Sequence, residues 1–385
     1  MQVIAILGCL LLAVWIQRYI YGRYWDQALD VDVSFQRRAV LEDELIKADV
    51  TVRNGKRLPL PALTVNFSLP QQFLEYRSKQ RSLVDTHNRS ELFTLYSYQA
   101  ITRTLTFQCR QRGCYTLHDL LIESSSLFMD RTDSMSKQVE RRVMVYPKCV
   151  NMRNFVRNFQ NLFGEILVND FYNEDVFLVR GVREYQPFDS QRSINWKATA
   201  KLGSLMVNNY EYTDSRKVVV FLNLTKNQLS DGSEIAEEGI RLAKTWCQNL
   251  DKYGIESDLY TNGKAEDGDE YLCVEKKDVT KKYMTHVNET LAMIHHCQEE
   301  NNFFDLFREQ IEDHRRDCFM IYISSDSRRS FQEGLLELKK RTAKFVWVLP
   351  RSSKSVHNID PGLHKNLVGW NIYWRKEELN EIINV

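Results

Sequence analysis

Three histidines and a cysteine that could bind a metal or transfer a proton lie close together: His286, His295, His296 and Cys297. A metal site on a helix needs ligands on one face, three or four residues apart. His286 and His296 are too far apart for that spacing, and the adjacent His295 and His296 point to different faces. The sequence also lacks a glycine-rich phosphate loop, a nucleophile elbow and a paired-histidine zinc motif. We therefore predict that the protein is not an enzyme and has no catalytic residues.

A second group of chemically capable residues lies between positions 181 and 201 and combines charges with aromatic rings. Its members are Arg183, Tyr185, Asp189, Arg192, Trp196 and Lys197. An aspartate flanked by arginines can form bidentate ion pairs and so hold a rigid brace between two domains. Arginine, tyrosine and tryptophan are also the residues that most often anchor protein–protein interfaces. The sequence alone leaves both interpretations open, an inter-domain brace and a partner-binding surface.

The chain that follows this group, from residue 213 to residue 385, alternates strand-like and helix-like segments. Its continuous apolar runs are typical of strands buried on both faces, and they lie at 217–222, 318–324 and 344–349. Between the first two runs, apolar residues recur at helical spacing from Ile235 to Leu250. The alternation predicts a doubly wound, mostly parallel α/β sheet. Ligands of such sheets bind beyond the carboxyl ends of the strands.

Residues 28–150 show the alternation of strands instead of the periodicity of helices. Apolar and polar residues alternate in the runs 31–35, 46–52 and 63–69. The dipeptide Asn54-Gly55 ends one of these runs and favours a tight turn. Several short strands of this kind predict an antiparallel, immunoglobulin-like β-sandwich. Modules of this type more often space or bind partners than perform chemistry.

The first 24 residues contain the apolar run Val3–Ile16, which no charge interrupts. A bilayer core of ~30 Å needs about 20 helical residues, a length reached if the helix continues to Gly22 with Arg18 at the headgroups. We predict a transmembrane anchor at 1–24. A cleaved signal peptide and a buried core helix are the alternatives. Because Arg18 and Arg23 follow the run, the positive-inside rule predicts a single-pass inner (cytoplasmic) membrane protein with its soluble domains in the cytoplasm.

Composition limits the remaining possibilities for this chain of 385 residues. A net charge of +1 disfavours nucleic-acid binding, which usually requires a basic domain. The eight cysteines form no C-x-x-C pair, so free thiols in a reducing compartment are favoured over a disulfide framework. The predicted organisation is therefore an anchor at 1–24, a β-sandwich at 28–150, a connecting segment at 151–212 and an α/β domain at 213–385.

The connecting segment resembles the signature of a bacterial family known as domain of unknown function 58. Members of that family carry a pattern like R-x-Y-x-x-G-D-x-x-R-x-I-x-W-K-x-x-A-R. The matching residues here are Arg183, Tyr185, Asp189, Arg192, Ile194, Trp196, Lys197 and Ala200. Phe188 stands where the pattern has glycine, and Lys201 stands where it has arginine. An apolar N-terminal segment, Asn54-Gly55 and the run 112–115 also match, so the resemblance extends over nearly the whole chain.

The resemblance implies a C-terminal domain of the von Willebrand factor A type. Such domains bind a divalent ion through a D-x-S-x-S motif after the first strand and an aspartate after a later strand. The corresponding residues here are Asn223, Thr225, Asn227 and Asp326. Magnesium usually requires at least one or two carboxylate ligands, and Asn223 offers only a neutral carbonyl. We therefore expect no cofactor. A weak, degenerate Mg²⁺ site at Thr225, Asn227 and Asp326 is the alternative, and Thr225 and Asn227 could instead cap a turn.

The resemblance also implies a partner, a MoxR-type AAA+ ATPase, and a role in envelope or metal-centre assembly. The predicted function is that of a membrane-tethered, non-catalytic adaptor or scaffold that presents a protein-binding surface. The alternative is a metal-dependent adhesion module that binds Mg²⁺ at the degenerate site. The two predictions differ in whether divalent ions change partner binding.

Overall fold

The computed structural model describes fourteen stretches of the chain. They are residues 2–70, 72–75, 88–126, 131–159, 174–186, 194–212, 217–225, 232–265, 271–275, 282–295, 303–314, 318–341, 344–352 and 358–372. The chain divides into two units. The first contains Met1–Lys148 and Leu291–Met293, and the second contains Cys149–Thr290 and Ile294–Val385.

The described part of the first unit consists of one helix followed by nine strands. These elements are α1 (Gln2–Tyr24), β1 (Leu29–Phe35), β2 (Ala39–Leu41), β3 (Leu45–Asn54), β4 (Leu60–Ser68), β5 (Phe73–Glu75), β6 (Asn88–Leu95), β7 (Ala100–Cys109), β8 (Gly113–Ser125) and β9 (Thr132–Tyr146). They form a sheet of order β1-β3-β7-β5 and a sheet of order β2-β9-β8-β4-β6. Buried side chains from both sheets form one hydrophobic core.

The alternating sequence of β3 explains how this core is built. Ile46, Ala48, Val50 and Val52 are all buried, because successive strand residues point to opposite faces of a sheet. The strand ends at Asn54, whose side-chain amide donates hydrogen bonds of 2.9 Å to two backbone carbonyl oxygens, those of residues 58 and 96. These bonds fix the turn that the Asn-Gly dipeptide predicts.

Helix α1 does not separate apolar and polar residues onto opposite faces, and its side chains Leu12, Trp15 and Tyr19 are exposed. Yet among the helices in the described part of the chain, none has the length and apolar character needed to cross a membrane. This finding contradicts the predicted transmembrane anchor and the single-pass inner-membrane localisation that depended on it. In physical terms, the uninterrupted apolar run Val3–Ile16 is shorter than the about 20 residues that a bilayer core requires, and Gln17 and Arg18 follow it directly.

The second unit contains a two-stranded sheet and a larger, seven-stranded one. Its elements are α2 (described over 152–159), β10 (Glu174–Glu184), α3 (Trp196–Leu202), β11 (Met206–Tyr212), β12 (Val218–Asn223), α4 (Gly232–Lys252), β13 (Ser257–Ala265), β14 (Tyr271–Val274), α5 (Tyr283–Met293), β15 (Ile294–His295), α6 (Phe303–Leu306), α7 (Arg308–His314), β16 (Phe319–Ser324), α8 (Arg329–Lys340), β17 (Phe345–Arg351), a 3-10 helix (Pro361–Asn366) and β18 (Leu367–Asn371). Strands β10 and β11 pair with each other, and both belong to the region of the signature.

The larger sheet has the order β14-β13-β12-β16-β17-β18, and β15 also pairs with β13. Five strands run parallel to one another: β13, β12, β16, β17 and β18. The other two, β14 and β15, pair antiparallel with β13. Every residue of β12 is buried, which is why its sequence lacks the polar alternation of a half-exposed strand. The parallel strands bring their carboxyl ends to one edge of the sheet.

The fold-class prediction is wrong for the chain as a whole. The described residues form eighteen strands against eight helices, and a membrane-spanning helix is not among them. The larger sheet of the second unit is mixed, with two antiparallel strands on β13, and the von Willebrand factor A assignment is not supported. The reason for the error is that periodicity predicts how successive elements alternate, but it does not identify a fold family.

Six cysteines have free thiols in contrasting environments: Cys109, Cys114, Cys149, Cys247, Cys273 and Cys318. Burial raises the pKa of both Cys109 and Cys247 to about 12, whereas Cys273 is exposed. Because the thiolate is the reactive form, we expect iodoacetamide at pH 8 to modify Cys273 well before Cys109 or Cys247 in the folded protein. Peptide mapping by mass spectrometry measures the three rates, and denatured protein serves as the control. Equal rates for Cys247 and Cys273 in the folded protein would contradict the buried position of Cys247.

Candidate functional site

Buried polar side chains gather at the carboxyl edge of the larger sheet. Asn223 is the last residue of β12, Ser324 is the last residue of β16, and Asn262 lies near the end of β13. The Asn223 amide nitrogen donates to Ser324 Oγ at 3.1 Å. The Asn262 amide nitrogen donates to Asn223 Oδ1 at 2.9 Å and to Thr225 Oγ1 at 3.0 Å. These bonds tie the ends of three neighbouring strands together, and we call this set the edge cluster.

Asn223 is at the centre of the edge cluster, and both ends of its amide are used. Its Oδ1 accepts hydrogen bonds from the Thr225 backbone N–H at 3.0 Å, from Thr225 Oγ1 at 2.6 Å and from the Asn262 amide. Its amide nitrogen donates to Ser324, which a carboxylate cannot do. The residue therefore satisfies its neighbours as an asparagine, and its carbonyl oxygen is already bound within the protein.

Asp326 joins the same cluster through Ser324 and forms an ion pair with Arg328. The Asp326 backbone N–H donates to Ser324 Oγ at 3.0 Å. Arg328 Nε donates to Asp326 Oδ1 at 3.0 Å, and Nη2 donates to Oδ2 at 2.8 Å. This bidentate geometry is the strongest arrangement of an arginine with a carboxylate. Asp326 is 6% exposed, so the guanidinium compensates a charge that would otherwise be buried alone.

These residues do not fit a magnesium site. Thr225 and Asp326 belong to one hydrogen-bonded cluster, as the metal prediction requires, but Asn227 lies outside the described residues. Both oxygens of the single carboxylate are bound by Arg328, and the Asn223 carbonyl accepts three hydrogen bonds. Within the described stretches, no group of three His, Cys, Asp or Glu side chains could hold a metal. Sequence reasoning missed Asn262, Ser324 and Arg328.

The histidines do not form a site in the described residues either. His286 lies on α5, with its Nδ1 3.7 Å from a carboxylate oxygen of Glu289, and His295 is the exposed end of β15. His296 and Cys297 lie outside the described residues. His286 and His295 are therefore on different elements.

The signature segment folds into a strand, a short helix and a second strand. Asn195 caps α3, because its side-chain oxygen accepts a hydrogen bond from the Ala198 backbone N–H at 2.9 Å. The helix ends at Gly203, whose φ of 74° favours glycine. The Met206 backbone N–H then donates to Thr199 Oγ1 at 3.0 Å, which joins the start of β11 to the helix. These contacts fix the direction in which α3 displays its side chains.

The described signature residues lie mostly at the surface. Trp196 is 69% exposed, Arg183 and Lys197 are exposed, and Tyr185 is half-buried. The Tyr185 backbone N–H donates to the Leu205 carbonyl oxygen at 2.8 Å, so this residue is held against the start of β11. Asp189 and Arg192, the pair on which the brace interpretation rests, lie outside the described residues.

Helix α3 and its flanks carry several exposed apolar side chains and exposed basic ones. The helix buries none of its residues. Leu202 is 62% exposed and Leu205 is 47% exposed, beside the 69% of Trp196. Antiparallel pairing places exposed Val182 next to the start of β11. We call this set, with the exposed cations Arg183, Lys197 and Lys201, the signature surface.

Comparisons with known proteins do not identify a family. No protein-family model matches the chain. No curated protein matches it either. Among solved structures, a fragment of α2-macroglobulin from Escherichia coli has a TM-score of 0.24 at 11% identity, covering 31% of this chain and 23% of that one. A type I cohesin from Pseudobacteroides cellulosolvens has a TM-score of 0.23 at 11% identity, with coverages of 32% and 94%. A CARDB domain from Pyrococcus furiosus has a TM-score of 0.19 at 14% identity, with coverages of 30% and 94%.

Proposed function

We propose that this protein is a non-catalytic adaptor that binds another protein through the signature surface. The observation that carries the proposal is the exposure of Trp196, at 69%, on a helix that buries none of its residues. A tryptophan on a capped helix is a rigid anchor, and tryptophan is among the residues most enriched at binding hot spots. Burying a large apolar side chain in a partner contributes about 1.5–3 kcal/mol.

The surroundings of Trp196 support a protein partner with acidic groups. Leu202 and Leu205 are further exposed apolar side chains of the signature surface, and Lys197 and Lys201 add exposed positive charge to it. An apolar centre with a charged rim is the usual composition of a protein-binding patch. The cations would steer an acidic partner towards the surface and would disfavour the binding of basic partners.

The proposed partner is a MoxR-type AAA+ ATPase, and the proposed process is the assembly of envelope or other complexes. This part of the proposal rests on the resemblance of residues 181–201 to the signature of the domain of unknown function 58 family. The alternative, a metal-dependent adhesion module, has weaker support, because Arg328 binds both oxygens of the carboxylate that such a module needs.

Affinity capture of the tagged full-length chain, with mass spectrometry of the bound proteins, tests the proposal. We expect an AAA+ ATPase to be recovered with Mg²⁺ and ATP and again in EDTA. Trp196→Ala is expected to lower the recovery about ten-fold or more, since truncating an aromatic hot spot typically costs about 2 kcal/mol. Tyr253→Ala is the matched control, because Tyr253 is another aromatic side chain with 56% exposure in the same unit.

Each other outcome has a distinct meaning. Recovery of no ATPase would reject this partner class. Equal recovery with Trp196→Ala and Tyr253→Ala would reject the signature surface as the binding site. Recovery that requires Mg²⁺ even without ATP would favour the adhesion-module alternative.

A further inference from the structure

A groove of about 540 Å³ lies between α8 and the α6–α7 pair, and its lining includes no residue of the edge cluster or of the signature surface. Its floor includes Phe304, Ile311 and Leu338. Ile311 and Leu338 are buried, and Phe304 is half-buried, so the floor is apolar and partly accessible. This volume lies within the range of about 300–1,000 Å³ that is typical of protein binding pockets.

Gly334 allows the floor to form. It lies in the interior of α8, where glycine costs about 1 kcal/mol relative to alanine. A Cβ atom at this position would collide with the Phe304 ring. The glycine therefore lets the aromatic ring lie directly against the helix backbone.

The rim of the groove is acidic. It carries four carboxylates and two guanidinium groups, a formal charge of −2: Asp305, Glu312, Glu333, Glu337, Arg308 and Arg341. Both arginines already form ion pairs. Arg308 lies 2.6 Å from Asp305, and Arg341 bridges the walls by binding Glu312 of α7 at 2.5 Å and Glu337 of α8. Glu333 also pairs with Arg329 at 2.9 Å, and with this third guanidinium included the excess of negative charge at the rim is one.

The dimensions of the groove match a helix. The residues of α8 that line it run from Ser330 to Arg341, which corresponds to about 17 Å, or three helical turns. An apolar floor flanked by two helical ridges is the geometry in which amphipathic helices dock, with anchors at every third or fourth position. Charge complementarity with the acidic rim requires Lys or Arg beside those anchors.

We propose that this groove binds a basic amphipathic helix of a partner protein, as a second interaction surface distinct from the signature surface. The probe that tests it is a labelled 15-residue helical peptide with leucines at helical spacing and lysines elsewhere. Fluorescence anisotropy with the full-length protein measures its affinity. A peptide with glutamate in place of every lysine is the reference. We expect the lysine peptide to bind at least about ten-fold more tightly, and we expect this preference to fall with added salt.

Charge reversal locates the site. Glu333→Lys/Glu337→Lys is expected to weaken binding of the lysine peptide about ten-fold or more, whereas Glu309→Lys should leave it unchanged. Glu309 is the matched control, since it is exposed on the same α7 but does not line the groove. Leu338→Ala, which enlarges the floor, provides a second variant, and circular dichroism shows that each variant is folded.

Three results would overturn the proposal. The first is equal affinity for the lysine and glutamate peptides. The second is equal binding by the double variant and by Glu309→Lys. The third is a concentration-dependent dimer that the double variant abolishes while peptide binding is absent, because the groove would then be occupied by a second copy of this chain.

Discussion

Replacing Phe221 with alanine is expected to lower the free energy of unfolding of the second unit by about 3–5 kcal/mol. Phe221 is fully buried on β12, and its ring stacks on Tyr260 of β13 at 5.5 Å and on Tyr322 of β16 at 5.0 Å. Both are its register partners on the neighbouring strands. Phe303 and Phe307 pack against the same ring. Alanine would remove contacts with four aromatic rings and leave a cavity that stacked neighbours cannot fill.

Urea denaturation followed by tryptophan fluorescence measures this effect, because Trp246, Trp347 and Trp370 are buried in the second unit. Phe221→Leu keeps most of the apolar volume and should cost about 1–1.5 kcal/mol. Tyr253→Ala, at an exposed position, should change stability by less than about 0.5 kcal/mol. A loss below about 1 kcal/mol for Phe221→Ala would contradict the stacked arrangement of the sheet core.

The sequence predicts the strand that carries Phe221 but not the stack around it. Continuous apolar runs at 217–222, 318–324 and 344–349 coincide with β12, β16 and β17, since strands buried on both faces have no polar alternation. Which residues face each other depends on the register between strands that are distant in sequence. A strand that is apolar on both faces has no polar alternation to mark its register, so the sequence pattern leaves that register open.

The N-terminal segment shows the limit of arguments from length. The apolar run Val3–Ile16 is shorter than the about 20 residues that a bilayer core needs. The prediction of a membrane anchor therefore depended on extending the helix past Arg18. The helix does continue past Arg18, since α1 ends at Tyr24, yet no helix in the described residues is long and apolar enough to cross a membrane. The family resemblance did not resolve whether the N-terminal helix spans a membrane. It rests on the order of motifs along the chain and not on the apolar character of each helix.

The signature segment shows a different limit, that of residue type. Arginine, tryptophan and lysine suit both a buried brace and an exposed anchor, and only solvent exposure separates the two. Trp196 is 69% exposed on a helix that Asn195 caps and that the bond between Met206 and Thr199 joins to β11. Such local bonds depend on tertiary placement, so the sequence left both interpretations open.

The edge cluster was found only in part for a similar reason. The sequence pointed to Asn223, Thr225 and Asp326 through their order after strands, and hydrogen bonds join these residues. It did not point to Arg328, although Arg328 lies only two residues after Asp326. An arginine so close along the chain can bind the carboxylate only when the loop turns back on itself. In that conformation both oxygens of the Asp326 carboxylate accept hydrogen bonds from Arg328, so the cluster contains an ion pair instead of an accessible carboxylate.

Replacing Arg328 with alanine is therefore expected to destabilise the second unit by about 2 kcal/mol. Removing one partner of a fully buried ion pair costs about 3–5 kcal/mol, and the 46% exposure of the Arg328 side chain reduces that value. Asp326 is 6% exposed, and in this variant its carboxylate would still accept a hydrogen bond from the backbone N–H of residue 328. It would lose both hydrogen bonds from the guanidinium. Arg329→Ala is the matched control. Its side chain is 92% exposed and pairs with Glu333 at the surface, so the loss should stay below about 0.5 kcal/mol.

Thermal unfolding in EDTA and in Mg²⁺ completes the test, because the ion pair and a metal compete for the same two oxygens. With Arg328 bound to both oxygens of Asp326, the wild-type midpoint should agree within about 0.5 °C in the two buffers. A ligand that binds only the folded state raises the midpoint, so a rise of several degrees in Mg²⁺ would show that a metal displaces the guanidinium. Equal losses for Arg328→Ala and Arg329→Ala would instead mean that the pair contributes no more than a surface contact. A specific loss with Arg328→Ala and no response to Mg²⁺ would establish the guanidinium as the cation of this cluster.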